Sequence, residues 1–324
     1  MEYVVTGGAG YIGWYLVDRL IRDGNEVTVL DDLSKGRFIH KKAKLIKIDL
    51  RDDRAVSELE LESNPIIFHL AANPEVRTSM YQAVDHFHRD VTTTLNTIEL
   101  ARKIDSKMFV FTSSSTVYGD ATKIPTPETY PPNPISHYGL FKLQAEQLMN
   151  YYTKRYGIRS TVARLANVVG GRTTHGITYD FVEKLLKNKN ELEILGDGKQ
   201  KKSYVYIADV VDGLKFLVEN PRNDHEVYNL GSPDLIQVND IAGIAEEEMN
   251  IKPAHKYNND FNGRGWLGDV RYMHLDISKI KSIGWSPRFN STETVRLAIK
   301  DLLGKKHPNS HNEEYMQIEK NGSN

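Results

Sequence analysis

Glu2-Tyr3-Val4-Val5-Thr6-Gly7-Gly8-Ala9-Gly10-Tyr11-Ile12-Gly13 opens the chain and decides how the rest is read. Tyr3, Val4 and Val5 form a short apolar strand that Thr6 ends, and the four glycines make a turn leading into a helix. A dinucleotide pyrophosphate sits against backbone N–H groups at a helix N-terminus, where any Cβ would hold it off. A lone glycine pattern is weak, so its context decides: a strand before it, a helix after it and an acid about twenty residues on. Ile12, Leu16, Leu20 and Ile21 recur at helical spacing, and Glu26 to Leu30 read as a second strand ending at Asp31. All three conditions are met.

The chain has 324 residues, 40% of them hydrophobic and 26% charged, with a net charge of −1. That length supports one large or two modest domains. Its near-neutral balance gives no electrostatic reason to expect nucleic acid or an anionic membrane as partner. Cysteine is absent, which excludes disulfides, a thiolate nucleophile and cysteine-type zinc sites. His86 and His88 stand two apart on an expected helix, so they cannot share a metal face, and both are expected at the surface or an interface. No metal is expected. The first strand leaves no room for a signal peptide and no apolar run reaches membrane-spanning length, so a cytoplasmic protein is expected.

Strands and helices alternate onward from Asp31. Strands are expected at Ala43 to Ile48, Pro65 to Leu70, Lys107 to Thr112 and Arg159 to Arg164. Helices are expected at Asp53 to Leu59, Ser79 to Arg102 and Ser136 to Tyr156. Such alternation predicts an α/β fold, a Rossmann-type doubly wound parallel sheet whose ligands lie at the strands' carboxyl ends. After residue 167 the elements shorten and mix. A smaller discontinuous C-terminal α/β lobe is therefore expected over 168–304, beside a dinucleotide domain over 1–167 to whose sheet some later segments return. Residues 305–324 are polar and expected to be disordered.

Tyr138 and Lys142 lie four apart near the start of the third helix and share a face. A cation about 6 Å from a phenol, at an effective dielectric near 20, favours the phenolate by roughly 3 kcal/mol, about two pKa units. The pair can thus make a general base. Lys107 to Thr112 delivers Ser113-Ser114-Ser115-Thr116 to the sheet edge, where a hydroxyl could hydrogen-bond a substrate oxygen.

Together these residues resemble the extended short-chain dehydrogenase/reductase family, and within it the UDP-glucose 4-epimerase-like nucleotide-sugar enzymes, over roughly residues 1 to 303. The resemblance implies NAD, held by Gly7, Gly10, Tyr11, Ile12 and Gly13. Asp31, with Asp32 beside it, falls on the position for the adenosine ribose, Asp49 and Leu50 beside adenine, and Leu70, Ala71 and Ala72 along the phosphates and ribose. It implies Ser114, Tyr138 and Lys142 as the catalytic set. A UDP-sugar would meet Thr116, Asn167, Lys202, Arg264, Asp269 and Met273. The carboxylate at Asp31 favours NAD over NADP because it would repel a 2′-phosphate.

The chain departs from that pattern at four places. Lys202 stands where arginine is common, Trp266 where an arginine precedes the Gly268-Asp269 pair, and Asp90 where asparagine is usual. Met273 occupies the position that limits sugar size at C2. The implied reaction is NAD-dependent 4-epimerisation of a UDP-sugar of the glucose/galactose type through a 4-keto intermediate. Alternatives are a UDP-glucuronate epimerase, with Arg172 and Lys184 as carboxylate partners, a UDP-N-acetylhexosamine epimerase, a sugar dehydrogenase, or a non-catalytic NAD sensor. A homodimer through helices near 85–102 and 137–156 is implied, with Leu95, Leu100, Phe141 and Leu148 as compatible positions.

Overall fold

The structure is a computed structural model and describes residues 1–36, 38–304 and 315–317. Seven parallel strands form the central sheet in the spatial order His225–Leu230, Ser160–Leu165, Met108–Ser114, Ile66–His69, Glu2–Thr6, Glu26–Asp31 and Lys44–Lys47. The chain first winds outward from Glu2–Thr6 to one edge, then restarts on its other side at Ile66–His69. That reversal opens a crevice at the carboxyl ends of the two neighbouring strands, next to Gly7 and Leu70.

Both faces of the sheet are covered, so its strands are apolar on both sides. Val5, Val29, Phe68 and Val110 pack with Leu16 and Leu20 of the helix Tyr11–Arg22 and with Val210 and Leu214 of the helix Ile207–Glu219. Val4, Leu30, Ile67 and Phe109 face the opposite way, onto Ile98 and Ala101 of the helix Thr93–Lys103 and onto Ala145 and Met149 of the helix His137–Tyr156. The alternation within Val4-Val5 is the two-residue period of a strand. A third cluster, with Phe181, Leu185, Leu192, Ile194, Ile241, Val295 and Ile299, forms the core of the C-terminal lobe. The strand His225–Leu230 returns to the main sheet from beyond residue 167.

Differences from the sequence reading are local. The helix expected from Ser79 to Arg102 is broken into Val76–Ser79, Ala83–Phe87, a π-helical turn at His88–Thr92, and Thr93–Lys103. Asn167–Val169 forms a short strand paired in parallel with Tyr204–Tyr206. Within the tail expected to be disordered, residues 315–317 pair antiparallel with Phe38–His40, and the rest of 305–324 lies outside the described residues, as does Arg37. Leu100 and Phe141, two of the positions compatible with an interface, belong to the core at 2% and 7% exposure. His86 is also fully buried within the chain, contrary to the surface or interface position expected for it. No helix among the described residues is long and apolar enough to cross a membrane.

Candidate active site

The glycine turn is crowded by backbone. A Cβ on Gly13 would lie 2.2 Å from the Gly7 carbonyl oxygen, and one on Gly7, whose φ is +67°, would lie 2.8 Å from the Ala71 nitrogen. The turn therefore stacks directly on the Leu70–Ala72 segment at the crevice. Thr6 ties the two strand ends together: its Oγ1 accepts from the N–H groups of Leu70 and Ala71, each at 3.2 Å, and lies 2.7 Å from His69 Nδ1. Burial pushes the His69 imidazole down to about 3, so it is neutral and structural. Gly10 caps the helix Tyr11–Arg22 without any side-chain cap, leaving that end's N–H groups for an anion.

Asp31 closes the adenosine side. Its carboxylate accepts from Ala9 N at 2.9 Å and Leu33 N at 2.8 Å, which fixes its direction and leaves further lone pairs for ribose hydroxyls. Asp32 accepts from Ser34 N, and Asp49 is held by the Arg51 guanidinium at 2.6 Å, which lowers its proton affinity. Leu50 is buried, with its carbonyl accepting from Asn96. Ile12 is half-buried, and the Tyr11 hydroxyl donates to the Gly170 carbonyl at 2.6 Å, so its side chain joins the first helix to the loop after Val169. An open glycine cradle, bare helix N–H groups and an oriented carboxylate fit a dinucleotide.

Ser114, Tyr138 and Lys142 converge from two elements. Ser136 caps the helix His137–Tyr156 by accepting from Gly139 N at 3.1 Å, and Ser79 Oγ accepts from Tyr138 N at 3.2 Å. Gly139 permits close approach to the turn Ser115–Tyr118, since a Cβ there would lie 2.6 Å from the Thr116 carbonyl oxygen. Lys142 Nζ donates to the Thr112 carbonyl at 2.9 Å and lies 5.7 Å from the centre of the Tyr138 ring. Ser114 makes a side-chain hydrogen bond with Tyr138, and its Oγ accepts from Thr116 Oγ1 at 3.0 Å.

The electrostatics differ from the simple pairing expected from sequence. Burial pushes the Tyr138 phenol up, Asp90 adds to that rise, and the bond to Ser114 lowers it. Lys142 Nζ sits over the ring face. Its ammonium is pushed down by burial and held up by Asp90 and Glu146.

Sequence reasoning missed Glu146, one turn beyond Lys142. Glu146 takes a buried bidentate bond from Arg164, with Nε–Oε1 at 2.9 Å and Nη2–Oε2 at 2.6 Å, and accepts from Ser113 Oγ. Its spacing from Lys142 was the available signal.

Of the residues expected to meet the UDP-sugar, Thr116 stays beside Ser114, and the other five gather with one another. Lys202 Nζ contacts Asp269 Oδ1 at 2.5 Å and stands 5.3 Å over the Trp266 ring. Met273 pairs in register with Lys202 and is buried. Asn167 Nδ2 donates to the carbonyl of Ser203, the residue after Lys202. Arg264 is held by Asp120 at 3.0 and 2.8 Å and donates to the Asp269 carbonyl, which ties this segment to the loop after Ser114–Tyr118. Gly268 lies against Ser136, the cap of the Tyr138 helix.

Arg172 and Lys184 do not join this group. Arg172 stacks on Trp14 and Phe38, and Lys184 pairs with Asp180 and Glu193, so the glucuronate alternative loses the two cations named for it.

Residues 3–231 match the NAD dependent epimerase/dehydratase family. The chain belongs to that family. It is 32% identical to the UDP-glucose 4-epimerase of Mycolicibacterium smegmatis over 94% of this chain and 99% of that one. A solved UDP-galactose 4-epimerase is 40% identical, covering 94% of this chain and 99% of that one, with a TM-score of 0.85. The Thermus thermophilus UDP-glucose 4-epimerase solved with NAD superposes at a TM-score of 0.83 with 28% identity, over 94% of this chain and 99% of its own. NAD is the cofactor, and the chain is a nucleotide-sugar enzyme of the UDP-glucose 4-epimerase family.

Proposed function

We propose that the protein interconverts the C4 epimers of a UDP-sugar of the glucose/galactose type. What carries this reading is the convergence of Ser114, Tyr138 and Lys142, with the group of Lys202, Asp269 and Asn167 joined to it where Gly268 lies against Ser136 and Arg264 holds Asp120. When bound, NAD supplies a hydride acceptor and donor. Tyr138 takes the proton of the sugar 4-hydroxyl and later returns it, and Ser114 hydrogen-bonds the same oxygen while it is a carbonyl. Lys142, pinned to the Thr112 carbonyl, stabilises the tyrosinate. On the diphosphate side, Lys202 supplies a point charge rather than a bidentate fork.

A dehydratase of this family would carry an Asp-Glu pair where Ser115 and Thr116 stand, and a uronate decarboxylase a glutamate at Thr116. The turn offers hydroxyls only. Incubating the purified protein with UDP-galactose, UDP-N-acetylgalactosamine and UDP-glucuronate, and resolving the products by NMR, tests the reading. C4 epimers without net NADH are expected, from UDP-galactose at the highest rate. NADH accumulation with no epimer, even with NAD added, overturns it in favour of a dehydrogenase.

The reading includes a cytoplasmic homodimer. Val84, Leu95, Leu140 and Tyr151 expose apolar side chains on the helices named for the interface, with Val84 at 73% and Tyr151 at 56%. Sedimentation should give twice the 36.9 kDa of the chain, and Leu140→Glu should shift it to monomer. A wild-type monomer rejects the assembly.

A further inference from the structure

Asp90 and His86 are 2% and 0% exposed, and the reaction described above uses neither. Asp90 lies in the π-helical turn His88–Thr92, a rare distortion that recurs at functional sites, and this turn packs against the helix carrying Tyr138 and Lys142. Asp90 Oδ2 and His86 Nδ1 both lack a hydrogen-bond partner, and they face each other at 3.5 Å.

The surrounding bonds orient the pair. Glu75 N donates to Asn73 Oδ1 at 3.3 Å, so the amide nitrogen of Asn73 is the end that faces His86 Nε2 at 3.1 Å. Thr78 Oγ1 lies 3.2 Å from that nitrogen and gives its own hydrogen to the Glu75 carbonyl at 3.1 Å. A nitrogen that accepts from an amide carries no hydrogen, so the assigned tautomer has its hydrogen on Nδ1, directed at Asp90. The other carboxylate oxygen, Oδ1, accepts from Asn73 N at 2.8 Å.

An asparagine at this position would not substitute cleanly. Turning its oxygen to Asn73 N would point its NH2 at the His86 N–H, and the reverse placement would set two donors together at Asn73. The histidine and the carboxylate belong together.

Asp90 is also the charge that reaches both members of the catalytic pair. It resists loss of the Tyr138 proton and supports the Lys142 ammonium against burial. The other titratable groups beside Lys142 are Glu146, which acts in the same sense, and His69, which is neutral. We propose that Asp90, oriented by His86 and the Asn73 amide, is a positioning residue for Tyr138 and Lys142. Its carboxylate counterbalances the ammonium so that Tyr138 both takes and returns a proton. This rests on the role given to Tyr138 above.

The test is the pH profile of epimerisation in Asp90→Asn. Removing the anion makes both Tyr138 and Lys142 easier to deprotonate, so both limbs of the kcat/KM bell move to lower pH by about one unit. One unit below the wild-type acid midpoint, the variant then retains about fivefold more of its own maximum than wild type does. Loss of packing alone lowers the whole curve without sliding it. A bell that keeps its midpoints, or slides to higher pH, overturns the proposal.

Nitrogen NMR of histidine-labelled wild type supplies an arm independent of turnover and of the variant's folding, with His86 assigned through His86→Gln. The resonances should show Nδ1 protonated and Nε2 bare, and the opposite tautomer overturns the orientation. Absence of epimerisation by wild type on every sugar would reject the function while leaving this arm readable.

Discussion

Tyr138→Phe should lower kcat for epimerisation by about two to four orders of magnitude while the protein stays folded and retains NAD. The substitution removes one oxygen. That oxygen is the partner of Ser114 and, on the proposed function, the group that exchanges a proton with the sugar 4-hydroxyl. The rest of the side chain is unchanged, so the ring still lies under Lys142 Nζ, 5.7 Å from its centre. The backbone bond from Tyr138 N to Ser79 Oγ is also untouched. KM should change little, because the proposed diphosphate contacts, Lys202, Asn167 and Asp269, are left as they are. Steady-state kinetics with nucleotide content measured in the same preparation separates the outcomes. A variant that keeps more than a tenth of wild-type kcat would remove Tyr138 from proton transfer, and one that loses NAD would make its role structural.

The parts of this site legible from sequence are those with strong local grammar. The glycine turn, the acid at Asp31 and the spacing of Tyr138 and Lys142 each follow from one element's period. Six of the sheet's seven strands follow from the alternation of strand and helix, and the seventh, His225–Leu230, is brought back by the fold from beyond residue 167. Asp90 was visible as a departure from the usual asparagine, but its burial was not, because a regular 3.6-residue period was extended from Ser79 to Arg102. The real chain breaks at Met80–Gln82 and then inserts a π turn, which resets the faces after His86. That is why a histidine expected outside is fully buried. The register of Lys202 on Met273 was equally hidden, because strands of two residues, Lys201–Lys202 and Tyr272–Met273, carry no periodic signal. Glu146 was halfway visible. Its helical spacing put it on the Lys142 face, but its partner Arg164 lies on a strand and is brought there only by the fold.

That buried pair yields the largest stability effect expected in the chain. Glu146→Ala should destabilise the protein by about 3–5 kcal/mol, because it leaves the Arg164 guanidinium buried without a counter-charge. Arg164 is 4% exposed. Without Glu146 its partners among the described residues are neutral: the Tyr118 hydroxyl at 2.8 Å, the Tyr118 ring at 4.7 Å and a long contact with the Glu128 carbonyl. None of them replaces a carboxylate.

Replacing both partners with apolar groups of similar volume, Glu146→Leu with Arg164→Met, should be milder than the single change, since no charge is then left behind. Ser113 loses the carboxylate it donates to in either case, so the end of Met108–Ser114 that places Ser114 should loosen and kcat should fall in both. The order of denaturant midpoints is the measurement, wild type above the double variant and the double variant above Glu146→Ala. A double variant less stable than the single one would mean that Arg164 earns its place through Tyr118 and Asn229, to which Tyr118 donates at 2.9 Å, and not through the carboxylate.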